Sequence, residues 1–175
     1  MGVPPYDIRP AVSDDAALLA ELGARTFRET FERICSPADL DAFLAKTYGE
    51  AQQAAELAEA ARPAWVLETE GGPAGFLQLR LGHREPGVPG LRPAELQRIY
   101  LLRAVQGSGL GAALMRTALE RARAWGADAL WLGVWEHNTR ALAFYARWGF
   151  REAGEHVFKI GEQIDRDLIL MKELP

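Results

Sequence analysis

Gln106-Gly107-Ser108-Gly109-Leu110-Gly111 stands between ELQRIYLL (95–102), which reads as a strand, and ALMRTALERARAW (113–125), which reads as a helix. Three glycines at alternate positions bring bare backbone N–H groups together with no β-carbons in the way. A helix that starts at this point adds its own unpaired N–H groups and the positive end of its dipole. The product is a cradle for an anion, suited to a pyrophosphate. The plainer alternative is a tight turn that lets strand and helix pack closely.

The residues around the turn sort the possible ligands. A P-loop needs Lys and then Ser or Thr after its last glycine, and Ala112 and Ala113 follow instead. That reading fails. A dinucleotide fingerprint fits better, because Gly107, Gly109 and Ala112 satisfy G-x-G-x-x-A and Asp128 lies about 20 residues downstream. Asp128, however, precedes its strand, whereas a ribose-binding acid belongs at the strand's carboxyl end. Dinucleotide binding stays as the alternative.

Working outward, YDIRPAV (6–12) alternates as a first strand, and Ser13 reads as the N-cap of a helix over about 14–30. A second helical stretch starts at Ser36-Pro37, with a break expected at Gly49. AWVLETE (64–70) and AGFLQLRLG (74–82) flank Gly71-Gly72-Pro73 as a hairpin, and 83–93 is a loop rich in Pro and Gly. After the glycine turn and its helix come a strand at 129–135, a short helix opened by Asn138 and ended at Gly149, and strands at about 150–160 and 165–173. The order β-α-α-β-β-β-α-β-α-β-β predicts an α/β (α+β layered) domain with a mixed sheet covered by helices, one domain over 1–175.

Composition narrows the classes of function. A net charge of −4 argues against broad nucleic-acid binding, which needs a basic face, and suits a cationic substrate. The single Cys35 excludes an internal disulfide and fits a reducing compartment. His83, His137 and His156 lack metal-ligand spacing, so no metal is expected. No apolar run approaches the roughly 18 residues that span a bilayer, and MGVPPYDIRP lacks the apolar core of a signal peptide. The expected location is cytoplasmic, with no membrane partner and a homodimer left open.

Gln106-x-x-Gly109-x-Gly111 resembles the acetyl-CoA pyrophosphate motif of the GNAT superfamily of N-acetyltransferases. Asn138, Ala141, Phe144, Tyr145 and Gly149-Phe150 continue the likeness downstream in the right order. RIYLLRAVQGSGLG and WLGVWEHNTRALAFYARWGF are also similar to PaiA-type polyamine acetyltransferases. The resemblance implies a mostly antiparallel central sheet, acetyl-CoA as cosubstrate, and a primary amine as acceptor: a polyamine such as spermidine or spermine, or a protein amine.

The same resemblance implies the roles. Cofactor contacts fall to Ile99, Tyr100 and Leu101 through backbone groups, to Gln106, Gly107, Ser108, Gly109, Leu110 and Gly111, and to Asn138. The Leu101 N–H would polarise the thioester carbonyl. Tyr145 would protonate the departing thiolate, since a phenol near pKa 10 can supply a thiolate of pKa about 8.5. Glu95 matches a strand glutamate used as general base, with a water chain as the alternative. Plainer readings stand beside these: Tyr145 and Phe144 as packing, Glu95 as a solvated strand start, Asn138 as an N-cap. Phe27, Phe31 and Trp135 are core residues or a wall of the acceptor site. A catalytically silent acyl-CoA-binding module is the rival function.

Overall fold

The computed structural model describes residues 2–175; Met1, the first residue of the expected domain 1–175, lies outside the described residues. Strands are β1 (Tyr6–Pro10), β2 (Ala64–Thr69), β3 (Gly72–Leu81), β4 (Pro93–Leu101), β5 (Ala129–Trp135), β6 (Arg151–Ile160) and β7 (Gln163–Glu173). Helices are α1 (Ala16–Phe31), α2 (Pro37–Tyr48), α3 (Glu50–Leu57), α4 (Leu110–Trp125) and α5 (Thr139–Arg147). The strands form one seven-stranded sheet in the order β1-β2-β3-β4-β5-β7-β6. Only β4 and β5 pair in parallel; every other neighbour is antiparallel.

Side-chain alternation sorts the core onto two faces. Leu77, Leu79, Ala94, Leu96, Leu130 and Leu132 pack with Leu110, Leu114 and Ala118 of α4, and with Tyr145 of α5. On the opposite face Val66 and Phe76 meet Leu19 and Leu22 of α1, while Phe27, Phe31, Leu40, Leu44 and Tyr48 gather beside Ile160. Each fully buried Leu or Phe contributes about 1.5–3 kcal/mol, so the two layers hold the sheet between them.

Two local expectations are corrected. Ser13 does not cap α1. Residues Ser13–Asp15 form a 3-10 turn, in which the Asp15 carboxylate accepts the Val12 N–H (2.8 Å) and pairs with Arg9 at 2.8 Å. Asp15 has both a backbone donor and a cation within reach, and Ser13 has neither, so the helix starts at Ala16. The second helical stretch is two helices, not one. Gly49 adopts an extended backbone that ends α2 and caps α3, so its expected break separates two packed elements.

Candidate active site

The parallel pairing of β4 and β5 covers only Pro93–Ala129, Ala94–Leu130 and Glu95–Trp131. Beyond Glu95 the strands part, and β5 continues to Trp135 paired with β7 alone. On the far side of β4, the Leu102 N–H donates to the Ala74 carbonyl at 2.9 Å, which makes Gly75–Leu101 a non-hydrogen-bonded pair of the ladder. The N–H and C=O of Leu101, and by alternation those of Ile99, therefore turn away from β3 into the opening. Tyr100 is the correction to the expected trio. Its peptide groups face Phe76 of β3, so only its side chain is available to the site.

The glycine turn sits at the mouth of this opening. Gly107 and Gly109 have φ of +87° and +93°, a region in which an L side chain is strained. Gly111 lies in the first turn of α4, and a Cβ there would meet Leu101 and Phe144 only at ordinary contact distance. The turn conformation thus requires the first two glycines and not the third. Among the described residues, no N–H from Gly107 to Gly111 has a hydrogen-bond partner. Five successive free amides at a helix N-terminus fit a phosphate ligand, each charge–terminus contact being worth about 0.3–1 kcal/mol. The Ser108 hydroxyl stays within the turn, donating to the Val105 carbonyl at 2.6 Å. Gln106 donates to the Leu101 carbonyl (2.9 Å) and accepts from Arg140 (2.8 Å), which holds a cation beside the cradle.

Tyr145 points from α5 into the cluster of Phe144 and Phe150, at ring separations of 5.4 and 5.8 Å. Burial, with a smaller push from Tyr100, raises its phenol well above the ordinary value. Asn138 uses its side-chain oxygen to cap α5, accepting the Ala141 N–H at 3.2 Å. Glu95, the last β4 residue paired with β5, meets Arg80 at 3.3 Å and His83 at 3.8 Å. Burial raises its carboxyl above the usual range, against the pull of Arg80.

On the α1–α3 side, β4 carries a buried polar network. Arg98 is 5% exposed and donates to Glu56 of α3 and to Gln78 of β3, with its guanidinium 5.1 Å from the Tyr48 ring centre. Burial works against the Glu56 charge, but Arg98 and Gln52 more than offset it and the carboxyl lies below its ordinary range. The Tyr48 hydroxyl meets that of Tyr100 at 2.9 Å. Phe31 stacks on Phe27 at 4.4 Å and approaches Trp135 at 5.5 Å, so these aromatics are core to the helix layer, in the cluster against which Tyr100 packs.

Residues 24–150 match the sequence model of the Acetyltransferase (GNAT) family. The chain belongs to the GNAT family. A protein of Lactobacillus delbrueckii subsp. lactis described as an uncharacterized N-acetyltransferase is 37% identical over 153 residues, 87% of this chain and 88% of the relative. One from Mycobacterium tuberculosis, described the same way, is 33% identical over 160 residues, 91% of this chain and 98% of the relative. In fold, the chain is similar to the PaiA N-acetyltransferase of Thermoplasma acidophilum, solved in complex with coenzyme A. That match has a TM-score of 0.75 and 19% identity, and covers 97% of this chain and 99% of the other. A GCN5-related N-acetyltransferase of Rhodopseudomonas palustris gives a TM-score of 0.76 at 20% identity, covering 99% of each chain. This GNAT protein is thus an acetyl-CoA-dependent N-acetyltransferase with the mostly antiparallel, helix-flanked sheet of its family. Among its described residues no helix is long and apolar enough to cross a membrane.

Two charged residues beside the turn and on β4 escaped the sequence reading. Arg140 follows the quoted motif asparagine by two positions, and only the fold brings it to Gln106 of the glycine turn. Arg98 stood in plain view as a charged residue inside an apolar strand. Its partners Glu56 and Gln78 come from distant elements, and nothing local named them.

Proposed function

We propose that this GNAT protein moves an acetyl group from acetyl-CoA to a primary amine by direct attack, with a polyamine such as spermidine as acceptor. The reading takes 1–175 as one cytoplasmic domain. The observation that carries it is the run of five free amides from Gly107 to Gly111, next to a β4 edge that turns the Ile99 peptide groups and the Leu101 N–H to the same side, with the Leu101 carbonyl held by Gln106.

The amides of the turn and Arg140 would hold the pyrophosphate, and the Ile99 and Leu101 peptides the pantetheine arm. Asn138 would add a contact from its amide. The Leu101 N–H stabilises negative charge developing on the thioester oxygen. Glu95, or a water, takes the proton lost by the attacking amine as the C–N bond forms. Tyr145 gives its proton to the sulfur as the C–S bond breaks.

Release of free thiol from acetyl-CoA, measured with spermidine, spermine or a peptide N-terminus present, tests the reading. The expected result is amine-dependent release, fastest with spermidine. Acetyl-CoA binding with no amine-dependent release would favour the silent binding module. Turnover of the peptide with spermidine inactive would remove the polyamine.

A further inference from the structure

We propose that Asp167, between Trp135 and His156 on the acceptor side of the sheet, is the subsite that holds a second positively charged nitrogen of the acceptor. The proposal rests on the N-acetyltransferase reading above and names the charge that its acceptor must carry.

Strand register puts three side chains in one row. Trp135 of β5 is the partner of Asp167 on β7, and Asp167 is the partner of His156 on β6, so all three share the face on which Tyr100 and Phe31 lie. Gly133, one position along that face, is exposed to solvent although it lies in a central strand with buried neighbours. A Cβ there would come to 3.4 Å from the His156 ring and 3.6 Å from the Asp167 carboxylate. Bare glycine backbone therefore leaves a well that reaches the sheet beside this pair. Aromatic residues of the α1 layer bound it on one side. On the other stands the 82–92 loop, whose Glu85 approaches His156 at 3.8 Å.

The chemistry of the well is anionic. Asp167 faces His156 at 3.7 Å, beyond hydrogen-bond reach, and its Oδ1 is buried with no partner. The Trp135 indole N–H is likewise buried and unpartnered. Glu85 and Asp167 flank the single His156, and Asp165 lies next to Asp167 on the same face of β7, so negative charge exceeds positive even with His156 protonated. Burial, and then Asp165 against the pull of His156, pushes the Asp167 carboxyl up to about 6. At neutral pH it is ionised and largely desolvated, facing His156 at 3.7 Å through one oxygen while the buried other has no partner. An ammonium would supply that partner and would also face the Trp135 and Tyr100 rings, a favourable setting for a cation. Tyr100, whose phenol is raised mainly by burial, also feels Asp167, and Tyr145 in turn feels Tyr100.

Cadaverine and n-pentylamine form a matched pair that differs in the second nitrogen. With wild-type protein, kcat/KM for cadaverine should exceed that for pentylamine by about tenfold or more, the scale of one charge-assisted contact. Asp167→Asn should erase the preference by raising the KM for cadaverine, with the KM for acetyl-CoA and the pentylamine kinetics unchanged. Asp167→Glu should restore part of the preference. Calorimetry with acetyl-CoA on each variant confirms that it is folded. Equal use of both amines by wild type, or a preference that survives in Asp167→Asn, overturns the subsite and leaves the N-acetyltransferase reading standing. Absence of turnover with every amine, acetyl-CoA still binding, overturns both.

Discussion

From Gly107 to Gly111 the groups left free are backbone amides, supplied by one short stretch of chain. Around Tyr100, Trp135, Asp167 and His156 they are side chains, brought together by four strands and walled by α1. The first region depends on two positive-φ glycines and the start of one helix, so a local sequence pattern specifies it. The second depends on which strands pair and in what register, and no local pattern encodes that. The difference teaches that a main-chain site depends on a local turn that tolerates many side chains, while a side-chain site depends on the particular residues that the strand register brings together.

The largest expected effect is on the chemical step that both regions serve. Tyr145→Phe removes one hydroxyl from a well-packed ring and should lower kcat by roughly 10²–10⁴-fold, with an equal fall in kcat/KM and little change in acetyl-CoA affinity. Turnover within about threefold of wild type, with chemistry shown to limit the rate, would make Tyr145 a packing residue. Glu95 comes next. It acts as a base only when ionised, and its carboxyl is raised by burial despite Arg80, so kcat/KM should fall as pH drops through a value above the ordinary carboxylate range. Glu95→Gln should cost about 10²-fold and abolish that acid limb. If the limb persists in the variant, water is the base.

Legibility followed the same division. The strand, turn and helix around Gly107 and Gly109 and the cap at Asn138 were readable, because each depends on residues close in sequence, whereas the backbone roles of Ile99 and Leu101 came from the family resemblance and depend on how β4 parts from the distant β5. Asp167 and His156 were passed over because their meeting depends on the β6–β7 register, which two tail strands of uncertain bounds do not reveal. Tyr100 was assigned through its backbone. Its side chain became visible only once the β3 ladder fixed which peptides are free. Ser13 caps nothing, because the Asp15 carboxylate, held by Arg9 on a separate strand, ties back to the Val12 N–H and α1 begins after that turn with no side-chain cap.

A smaller effect sharpens the contrast through stability. Asp167 moves from its ordinary 3.8 to about 6 on folding, so the native state holds that proton more tightly than the unfolded chain. Its ionised form therefore weighs against folding above pH 6, and the penalty disappears as pH falls below about 4. The group is partly exposed, so solvent screening reduces the cost to about 1 kcal/mol. Asp167→Asn should raise Tm by about 2–4 °C near neutral pH, and by progressively less as pH is lowered toward 4. A loss of stability at every pH would make Asp167 a structural residue.

The separation of the two regions is tested most directly by measuring two constants on the same two variants: the Kd for acetyl-CoA by calorimetry and the KM for cadaverine by thiol release. Gly109→Val places a side chain at φ +93°, against Val3, and should weaken acetyl-CoA binding by about tenfold or more while the amine KM stays within about twofold. Asp167→Asn should do the reverse. If both constants move together in either variant, the two sites are not independently built and the account is wrong.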